Sequence, residues 1–357
     1  MLTNGISAAV KQSALQAGFD LAGIAPVAEL AELARFPEWI AEGHAGDMKY
    51  LEARDDTGQL RRASLKAVFP WARSVIVCAI NYNTAHPYST QVNNPGRGWI
   101  SRYAWSHEDY HDAVLRRLRE VEGALKKNAG MEIETRAYVD TGPVVERVFA
   151  KYAGIGWLGK NTCLINQKIG SWLFLGVIVT SLELTADIPA PDRCGTCTRC
   201  IDACPTQAFV APHHLDSNKC ISYLTIEKRG EMPEPLREGI GVNVFGCDIC
   251  QDVCPWNRKA PSTDQPEFQP REGLVNPVLA WLAELSEQEF RDRFRRSPIR
   301  RTKRSGLRRN AIIAIGNTKD HSHLPLVERA TNDSDPAVAG AAKWAKRRIL
   351  DHAHESD

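Results

Sequence analysis

The stretches CGTCTRCIDACP (194–205) and CDICQDVCP (247–255) decide what this chain folds around. The first carries four cysteines and a following proline at the spacing of a bacterial ferredoxin ligand run for 4Fe-4S clusters. The second is one ligand short, and the lone Cys220 between them completes a set of eight. In such runs the fourth cysteine binds the other cluster. The predicted ligands are Cys194, Cys197, Cys200 and Cys254 for one cluster, and Cys204, Cys220, Cys247 and Cys250 for the other.

Two other uses of cysteine fit this spacing poorly. Structural zinc sites are built from paired C-x-x-C units, whereas the first stretch continues as C-x-x-C-x-x-C-x-x-x-C-P. A disulfide framework is typical of small secreted domains, and this chain has 357 residues and no secretory signal. The sequence therefore predicts two iron–sulfur clusters.

The composition is that of an ordinary globular protein, with 43% hydrophobic and 25% charged residues. A length of 357 residues predicts two or three domains. No run approaches the roughly 18 apolar residues of a membrane span, and the start of the chain lacks the layout of a signal peptide. We therefore expect a cytoplasmic protein that does not associate with a membrane.

The hydrophobic pattern divides the chain into three predicted domains and gives the fold class α+β. Residues 1–185 alternate between strand and helix patterns without a regular βαβ order, which predicts an α/β sheet domain. Residues 186–262 form the ferredoxin-like domain with two clusters. Residues 263–357 are predicted to be helical, and the segment DSDPAVAGAAKWA (333–345) resembles one unit of a HEAT-type repeat.

Periodicity also predicts the elements of the sheet domain. The predicted helices are residues 6–17, 28–55 with a break at Pro37, a long helix ending near Lys127, and 143–152. The predicted strands are residues 21–27, 73–82 with a buried free thiol at Cys78, 131–139, 162–166 and 172–179. The segment GIGWLG (154–159) has the letters of a dinucleotide-binding motif, but it follows a helix and precedes a strand, so no such site is predicted.

Positive charge is concentrated near the C-terminus. Residues 291–310 contain nine arginines and one lysine against one aspartate, a net charge of +9, whereas the whole chain carries +2. A segment of this kind is either a solvated face or a phosphate-binding surface. The concentration of arginine favours the phosphate-binding surface.

Several segments together resemble epoxyqueuosine reductase, the cobalamin-dependent iron–sulfur family of queuosine biosynthesis. The segments are HEDYH (107–111), VDTGPVVERVFAKYAGIGWLGKNTCLI (139–165), CGTCTRCIDACPTQA (194–208), KCISYLT (219–225), FGCDICQDVCPWN (245–257) and the HEAT-like unit. They extend over nearly the full chain. Their combination is far more specific than the two-cluster motif alone.

The resemblance implies an enzyme that reduces epoxyqueuosine to queuosine at the wobble position of tRNA, the last step of queuosine biosynthesis. It implies cobalamin, which no residue pattern of this sequence shows by itself, and two 4Fe-4S clusters that supply electrons. The family's proton donor lies in the VDT segment, which makes Asp140 the expected catalytic acid. By spacing alone, Asp140 is instead a helix N-cap.

The resemblance further implies contacts and partners. The expected substrate-binding residues are Arg102, Asp109, Tyr110 and His111. The expected cofactor-binding residues are Tyr103, Asp140, Lys160, Asn161, Leu164, Leu175, Ser222 and Asp248. The expected tRNA-binding residues are Arg300, Arg301, Lys303, Arg304 and Arg308. The expected partners of a monomeric enzyme are the tRNA anticodon stem-loop and an external electron donor such as a flavodoxin or ferredoxin.

Two other functions remain open on the sequence. A reductive dehalogenase also combines cobalamin with two clusters, but such enzymes usually carry an export signal and have no use for the arginine-rich segment. An electron-transfer module has no need of a 185-residue sheet domain.

Overall fold

A four-stranded antiparallel sheet is the framework of the N-terminal region in the computed structural model, which describes residues 2–354. The strands up to residue 180 are β1 (Leu21–Pro26), β2 (Ser74–Asn81), β3 (Trp99–Ile100), β4 (Thr135–Tyr138), β5 (Trp157–Leu158), β6 (Leu164–Ile165) and β7 (Leu173–Thr180). The helices are α1 (Leu2–Gln16), α2 (Ala31–Ala34), α3 (Phe36–Ala41), α4 (Leu65–Val68), α5 (Tyr110–Ala129) and α6 (Glu146–Tyr152). The sheet order is β1-β2-β7-β4, and each neighbouring pair is antiparallel.

Both faces of this sheet are covered by helices, and the sequence of β2 shows why. All eight residues of SVIVCAIN are buried, as expected of a strand whose alternate side chains enter two different cores. Ile76 and Cys78 pack with α1 and α5, and Val75 and Val77 pack with α6 on the opposite face. Cys78 is a free thiol, as predicted, and burial raises its pKa to about 12.

Most predicted elements of this region are present, but the strands predicted at 131–139 and 162–166 are shorter, and two predicted helices differ as well. The segment 28–55 forms α2, α3 and a short 3-10 helix at Lys49–Glu52 rather than one helix broken at Pro37. Pro37 lies in the first turn of α3, where its missing N–H costs nothing, so it helps to start a helix instead of breaking one. The helix predicted at 143–152 begins only at Glu146.

The cysteine-rich region consists of short elements joined by turns. They are α7 (Arg199–Asp202), β8 (Phe209–Ala211), β9 (His214–Leu215), α8 (Ile221–Ile226), α9 (Glu234–Arg237), β10 (Asn243–Phe245) and α10 (Ile249–Asp252). Each of the two cysteine runs contains one four-residue helix, α7 or α10. Strand β10 pairs in parallel with β3 and so joins this region to the N-terminal one.

The C-terminal region is helical, as predicted. Its helices are α11 (Leu279–Glu284), α12 (Glu287–Arg293), α13 (Lys303–Thr318), α14 (Leu324–Ala330) and α15 (Pro336–His354). Gly316 of α13 lets α15 approach closely, since a Cβ there would lie 2.7 Å from the ring of Trp344. Among the described helices, none combines the length and apolar character needed to cross a bilayer.

One continuous hydrophobic core joins these helices to the other regions. It contains Ile312 and Ile315 of α13 together with Leu224, Phe245 and Trp105 from the preceding regions. Ile299 belongs to the same core, which places the segment 296–301 beside these regions. The predicted domain limits and the HEAT-type relationship of the helices stay predictions.

Candidate functional site

A cavity of ≈ 1300 Å³ lies where the three regions meet. Its lining includes the start of α5, the turn after β4, the first residues of α6 and β7, helix α8, and residues of the segment 296–301. Ordinary small-molecule pockets enclose about 300–1,000 Å³. The cavity is therefore suited to an unusually large ligand, and the sequence-predicted site lies on its wall.

Asp140 projects into this cavity from the turn that follows β4. Its backbone has a φ of 56°, in the left-handed region that non-glycine residues rarely adopt. Its carboxylate Oδ2 accepts a hydrogen bond of 2.9 Å from the hydroxyl of Tyr110, and its side chain is 58% exposed. Helix α6 begins six residues later, with Val145 at the N-cap position, so the interpretation of Asp140 as an N-cap is wrong.

His111 links Asp140 to a second carboxylate. Its Nδ1 lies 2.7 Å from Asp109 Oδ1, and its Nε2 lies 3.9 Å from Asp140 Oδ2. Asp109 also caps α5 by accepting from the backbone N–H of His111 at 3.1 Å, which fixes the two side chains relative to each other. Burial by itself would raise the pKa of Asp109, but the hydrogen bonds from His111 lower it. Asp109 therefore fixes the His111 ring with its Nε2 near Asp140, at a distance too long for a direct hydrogen bond.

Glu146 is a third carboxyl at this site. It is buried at the start of α6, lines the cavity, and accepts a hydrogen bond of 3.1 Å from the backbone N–H of Asp140. The pKa of Glu146 is raised to about 7, mainly by burial and to a smaller extent by the charge of Asp140. The positive charges of Arg62 and Arg147 lower it, but by less. Near neutral pH, Glu146 can thus hold a proton directly beside Asp140.

This arrangement predicts a titration that infrared difference spectra can measure. The protonated carboxyl band of Glu146 should be present at pH 6 and should disappear as the pH rises through about 7, because only the neutral form is favoured by burial. Glu146→Gln should remove that part of the titration and leave the part from Asp252, whose pKa burial also raises to about 7. Glu134→Gln, at an exposed glutamate, is the matched control. A spectrum unchanged by Glu146→Gln would contradict the assignment.

Seven of the predicted cofactor and substrate residues line the large cavity. They are Tyr103, Asp109, Tyr110, His111, Asp140, Leu175 and Ser222. Tyr110 stacks on Phe174 with ring centroids 4.4 Å apart and an interplanar angle of 3°. Burial raises the pKa of Tyr110 well above its ordinary value, so its hydroxyl remains a hydrogen-bond donor to Asp140 at neutral pH. The aromatic wall holds Asp140 at the cavity surface.

Arg102 and Asp248 occupy different positions from those expected. Arg102 is buried, and its guanidinium donates to the carbonyl oxygens of Thr84, His86 and Pro87. Asp248 is buried and accepts from Trp99 Nε1 at 2.9 Å and from the backbone N–H of Arg102 at 2.8 Å. Neither lines the large cavity in the described structure. The geometry gives both a structural role, and their ligand contacts stay predictions.

The first predicted cluster-ligand set surrounds a second, smaller cavity of ≈ 250 Å³. This cavity is lined by all four members of the set, Cys194, Cys197, Cys200 and Cys254, and by Lys160, Asn161 and Trp256 among others. Burial, and after it the neighbouring thiols, raises the pKa of Cys200 and of Cys254 to about 11. Four thiols around one cavity are the donor set that a 4Fe-4S cluster requires.

The second set is half-buried, with Cys220 at the start of α8 and Cys250 in α10. Burial raises the pKa of the Cys247 thiol well above its ordinary value, and the nearby Cys220 and Cys204 raise it further. A hydrogen bond with Cys163, burial and the charge of Cys247 do the same for Cys250. All of these cysteines are free thiols. The structure therefore brings these cysteines near one another, with Cys163 beside Cys250, and the assignment of the eight ligands to two sets stays a prediction.

Three further expected cofactor residues are not among the residues that line the large cavity, and two of them lie at the cysteine runs. Lys160 Nζ donates to the carbonyl oxygen of Gly195 at 2.7 Å, and Asn161 Nδ2 donates to that of Cys250 at 3.2 Å. Leu164 is buried in the core below the sheet. Lys160 and Asn161 thus connect the loop after β5 to both cysteine runs, and their cobalamin contacts stay predictions.

The arginine-rich segment divides into paired and unpaired cations. Arg301 pairs with Glu227 and lines the large cavity, whereas Arg304 pairs with Glu287 at 3.1 Å and Arg308 pairs with Asp333 at 2.7 Å. Five exposed cations form no ion pair with any described residue, namely Arg293, Arg295, Arg296, Arg300 and Lys303, and of these Arg293 donates to the carbonyl oxygen of Glu272. Arg296 and Arg300 also line the large cavity. The unpaired cations are the ones free to bind phosphate.

The sequence reasoning missed Glu146, Cys163 and Arg296. Glu146 was visible as the one acid in the apolar run VVERVFAKY directly after the Asp140 turn. Cys163 is one of two cysteines outside the predicted ligand sets, and its hydrogen bond to Cys250 depends on a distant loop. Arg296 lines the cavity because the chain turns at its φ of 53°. Its position could not be read from the charge pattern.

Known proteins resemble this chain along most of its length. Family models described as "4Fe-4S double cluster binding domain" and "Epoxyqueuosine reductase QueG" match residues 193–257 and 62–141, respectively. The epoxyqueuosine reductase of Synechocystis sp. is 45% identical over 294 residues, which is 81% of this chain and 98% of that protein. The cluster-binding match confirms the predicted two-cluster region.

Solved structures resemble it too. A crystal structure of an epoxyqueuosine reductase with an epoxyqueuosine-modified tRNA-Tyr stem loop is 32% identical, with a TM-score of 0.84, and covers 97% of this chain and 91% of its own. The enzyme from Bacillus subtilis, with its catalytic aspartate loop swung out of the active site, is also 32% identical, with a TM-score of 0.83 over 98% and 93% of the two chains.

Proposed function

The chain belongs to the family of epoxyqueuosine reductases, and we propose on this premise that it reduces epoxyqueuosine to queuosine at the wobble position of tRNA. The observation that carries the proposal is Asp140, hydrogen-bonded to Tyr110 and 3.9 Å from His111, on the wall of a cavity that also meets Cys220 and the unpaired arginines. A proton donor, a route for electrons and a phosphate-binding rim thus converge on one space.

The residues present fit the cofactors of the family. Two groups of four thiols provide the ligands for two 4Fe-4S clusters, with Cys194, Cys197, Cys200 and Cys254 in one group and Cys204, Cys220, Cys247 and Cys250 in the other. The large cavity exceeds an ordinary small-molecule pocket, as a ligand as large as cobalamin requires, and Tyr103, Leu175 and Ser222 on its lining would hold it. When bound, cobalamin supplies the reducing centre at which the substrate accepts two electrons.

The protein's own residues handle the protons. Removal of the epoxide oxygen as water consumes two electrons and two protons, and the departing oxygen becomes a poor leaving group without the first of them. Asp140 donates that proton, and His111, held by Asp109 through Nδ1, supplies the next one from Nε2 when it is an imidazolium and is left as the neutral imidazole. Glu146 stores a proton beside Asp140 at neutral pH.

Asp140 can act as a general acid only once the cavity is closed to water. With its side chain 58% exposed, Asp140 is not desolvated by the protein alone, so the bound nucleoside and cofactor must exclude water from it. Asp140 has a left-handed backbone conformation in this turn. In a related enzyme, the catalytic aspartate loop is swung out of the active site. We infer that this turn moves inward when the substrate nucleoside enters.

The unpaired cations Arg296, Arg300 and Lys303 grip the tRNA backbone near the cavity entrance. Arginine forks bind phosphate oxygens in pairs, and a splayed wobble nucleoside can then reach the cavity. A related enzyme has been crystallised with a modified tRNA stem loop. The helices that follow, α13 to α15, act as a HEAT-like platform below this grip. The working enzyme is a monomer that accepts electrons from a flavodoxin or ferredoxin.

The combined replacement of Arg296, Arg300 and Lys303 by alanine should weaken tRNA binding and reduce its salt dependence. Each lost phosphate contact lowers the log–log slope by about 0.7–0.9, so the triple variant should lose up to about 2–3 from the slope. Fluorescence titrations of a labelled stem-loop over a range of salt concentrations measure this.

The matched control removes three exposed cations from α5, Arg119, Lys126 and Lys127, which do not line the cavity. It should keep the wild-type slope. An unchanged slope in the first variant would mean that these cations are only a solvated face.

The function itself is tested by incubating the anaerobically reconstituted protein with an epoxyqueuosine-modified stem-loop and a chemical reductant. We expect queuosine among the digested nucleosides, identified by mass spectrometry. Dehalogenation of a small halogenated phenol under the same conditions, without conversion of the stem-loop, would favour the alternative function.

A further inference from the structure

Two histidines and a glutamate form a cluster beside the large cavity that the proposed reaction does not use. Glu42 caps the C-terminus of α3, His44 follows it in the next turn, and His214 lies in β9. One potential ligand atom from each of the three residues lies within 4.8 Å of the other two. His214 also lines the cavity. The three side chains come from chain segments about 170 residues apart, so the fold has brought them together.

The hydrogen bonds of His44 leave one of its ring nitrogens free. Its Nδ1 lies 3.2 Å from the backbone oxygen of Glu42, which places the ring proton on Nδ1. Its Nε2 is buried and has no hydrogen-bond partner among the described residues. Histidines that bind metal ions have this arrangement, with one nitrogen donating to a carbonyl and the other presenting a lone pair.

His214 and Glu42 also contact each other through potential metal ligands. His214 Nε2 lies 3.0 Å from Glu42 Oε2, yet within the described structure this buried nitrogen is not aligned for a hydrogen bond. The two imidazole rings are tilted by 51° with centroids 5.0 Å apart, so they are not stacked on each other. One ring nitrogen of each histidine and a carboxylate oxygen of Glu42 lie within 4.8 Å of one another, and His44 Nδ1 lies 3.8 Å from Glu42 Oε2.

The two chain segments that carry these side chains are tied together independently of any ion. Trp39 Nε1 donates to the carbonyl oxygen of Leu215 at 2.7 Å. The backbone N–H of Ser217 donates to the carbonyl oxygen of His44 at 3.0 Å, and Asn218 Nδ2 donates to that of Gly43 at 2.9 Å. These bonds hold the turn after α3 against the β8–β9 hairpin. The cluster is consequently preorganised rather than an accident of mobile side chains.

We propose that Glu42, His44 and His214 bind one divalent zinc ion, with a fourth position open toward the cavity. Two imidazoles and one carboxylate are the donor set of zinc sites that keep an open position. Calcium and magnesium prefer oxygen ligands, so the two nitrogens select against them. Binding transfers no electrons and displaces only protons or water. The proposal stands on these residues alone and does not depend on the proposed reaction.

The test uses the holoenzyme, reconstituted anaerobically with iron, sulfide and cobalamin so that the cluster thiols are occupied. One equivalent of zinc sulfate is added, unbound metal is removed by gel filtration, and zinc is quantified by mass spectrometry. We expect about one zinc per chain in the wild type and a zinc-edge X-ray absorption spectrum with nitrogen and oxygen neighbours near 2.0 Å. Glu42→Gln and His214→Ala should each weaken zinc binding by about 10–100-fold or more.

The control is His213→Ala, which removes the adjacent histidine that lies outside the cluster and contacts the Gly159 carbonyl oxygen at 3.0 Å. It should retain zinc. Glu42 is partly exposed at the surface, so Glu42→Gln keeps the test valid even if a histidine variant fails to fold. A sulfur shell near 2.3 Å would place the zinc in vacant cluster sites and overturn the proposal. Zinc retention by Glu42→Gln and His214→Ala equal to that of the wild type would overturn it as well.

Discussion

Asp140→Asn is expected to lower the turnover of epoxyqueuosine-modified tRNA by roughly 10²–10⁴-fold, the usual contribution of a general acid. Asparagine is nearly the same size and still accepts the hydrogen bond from Tyr110, so the turn and the cavity wall should keep their shape. It has no acidic proton for the departing oxygen. Iron, cobalamin and tRNA binding should therefore remain within a few-fold of the wild type.

The measurements are single-turnover rates by quenched mass spectrometry, together with cofactor content and stem-loop affinity. Asp112→Asn, an exposed residue in the first turn of α5 that does not line the cavity, is the control and should react at the wild-type rate. A variant at Asp140 that folds, binds both cofactors and turns over at a near-normal rate would remove Asp140 from the mechanism.

Cys220→Ser should cost the protein one of its two clusters and abolish turnover. The wild type should contain about eight irons after anaerobic reconstitution, four for each group of cysteines. Cys220 lies at the start of α8, near Cys204 and Cys247, and it lines the large cavity. Its loss should leave about four irons, held by the group around Cys254. Because Cys220 belongs to the second cluster site and also lines the large cavity, its replacement would remove the source of electrons nearest to the cavity.

Iron analysis and electron paramagnetic resonance of the reduced protein distinguish the outcomes. Cys78→Ala, which removes a buried thiol that is not in either group, should retain about eight irons. If Cys220→Ser shows the signals of two intact 4Fe-4S clusters, the ligand grouping is incorrect and another residue completes the second set.

The sequence predicted the elements whose signals are local and strong. The eight cysteines and their division into two sets follow from spacing, and the buried strand β2 follows from the apolar run SVIVCAIN. Asp140 was identified through its motif, but its φ of 56° and its distance from the helix start are properties of the folded turn. Sequence spacing alone favoured the wrong role for it.

The remaining site features depend on contacts between segments far apart in the chain. Asp248 follows a cluster cysteine, yet its carboxylate faces Trp99 and Arg102 because β3 pairs with β10. Charge counting treated all arginines of residues 291–310 alike, whereas Arg308 is held by Asp333 and Arg300 is unpaired among the described residues. Pairing of this kind is decided by tertiary packing, so composition could predict the basic surface but not its free cations.

The central claim is that this chain removes one oxygen atom from a tRNA-bound nucleoside with two electrons. The most direct measurement titrates the reconstituted enzyme, mixed with excess epoxyqueuosine-modified stem-loop, with known amounts of reductant and quantifies queuosine by mass spectrometry. The account predicts one queuosine for every two electrons consumed beyond those that reduce the cofactors, and no product from protein without cobalamin. Consumption of reductant with the epoxyqueuosine unchanged would contradict it.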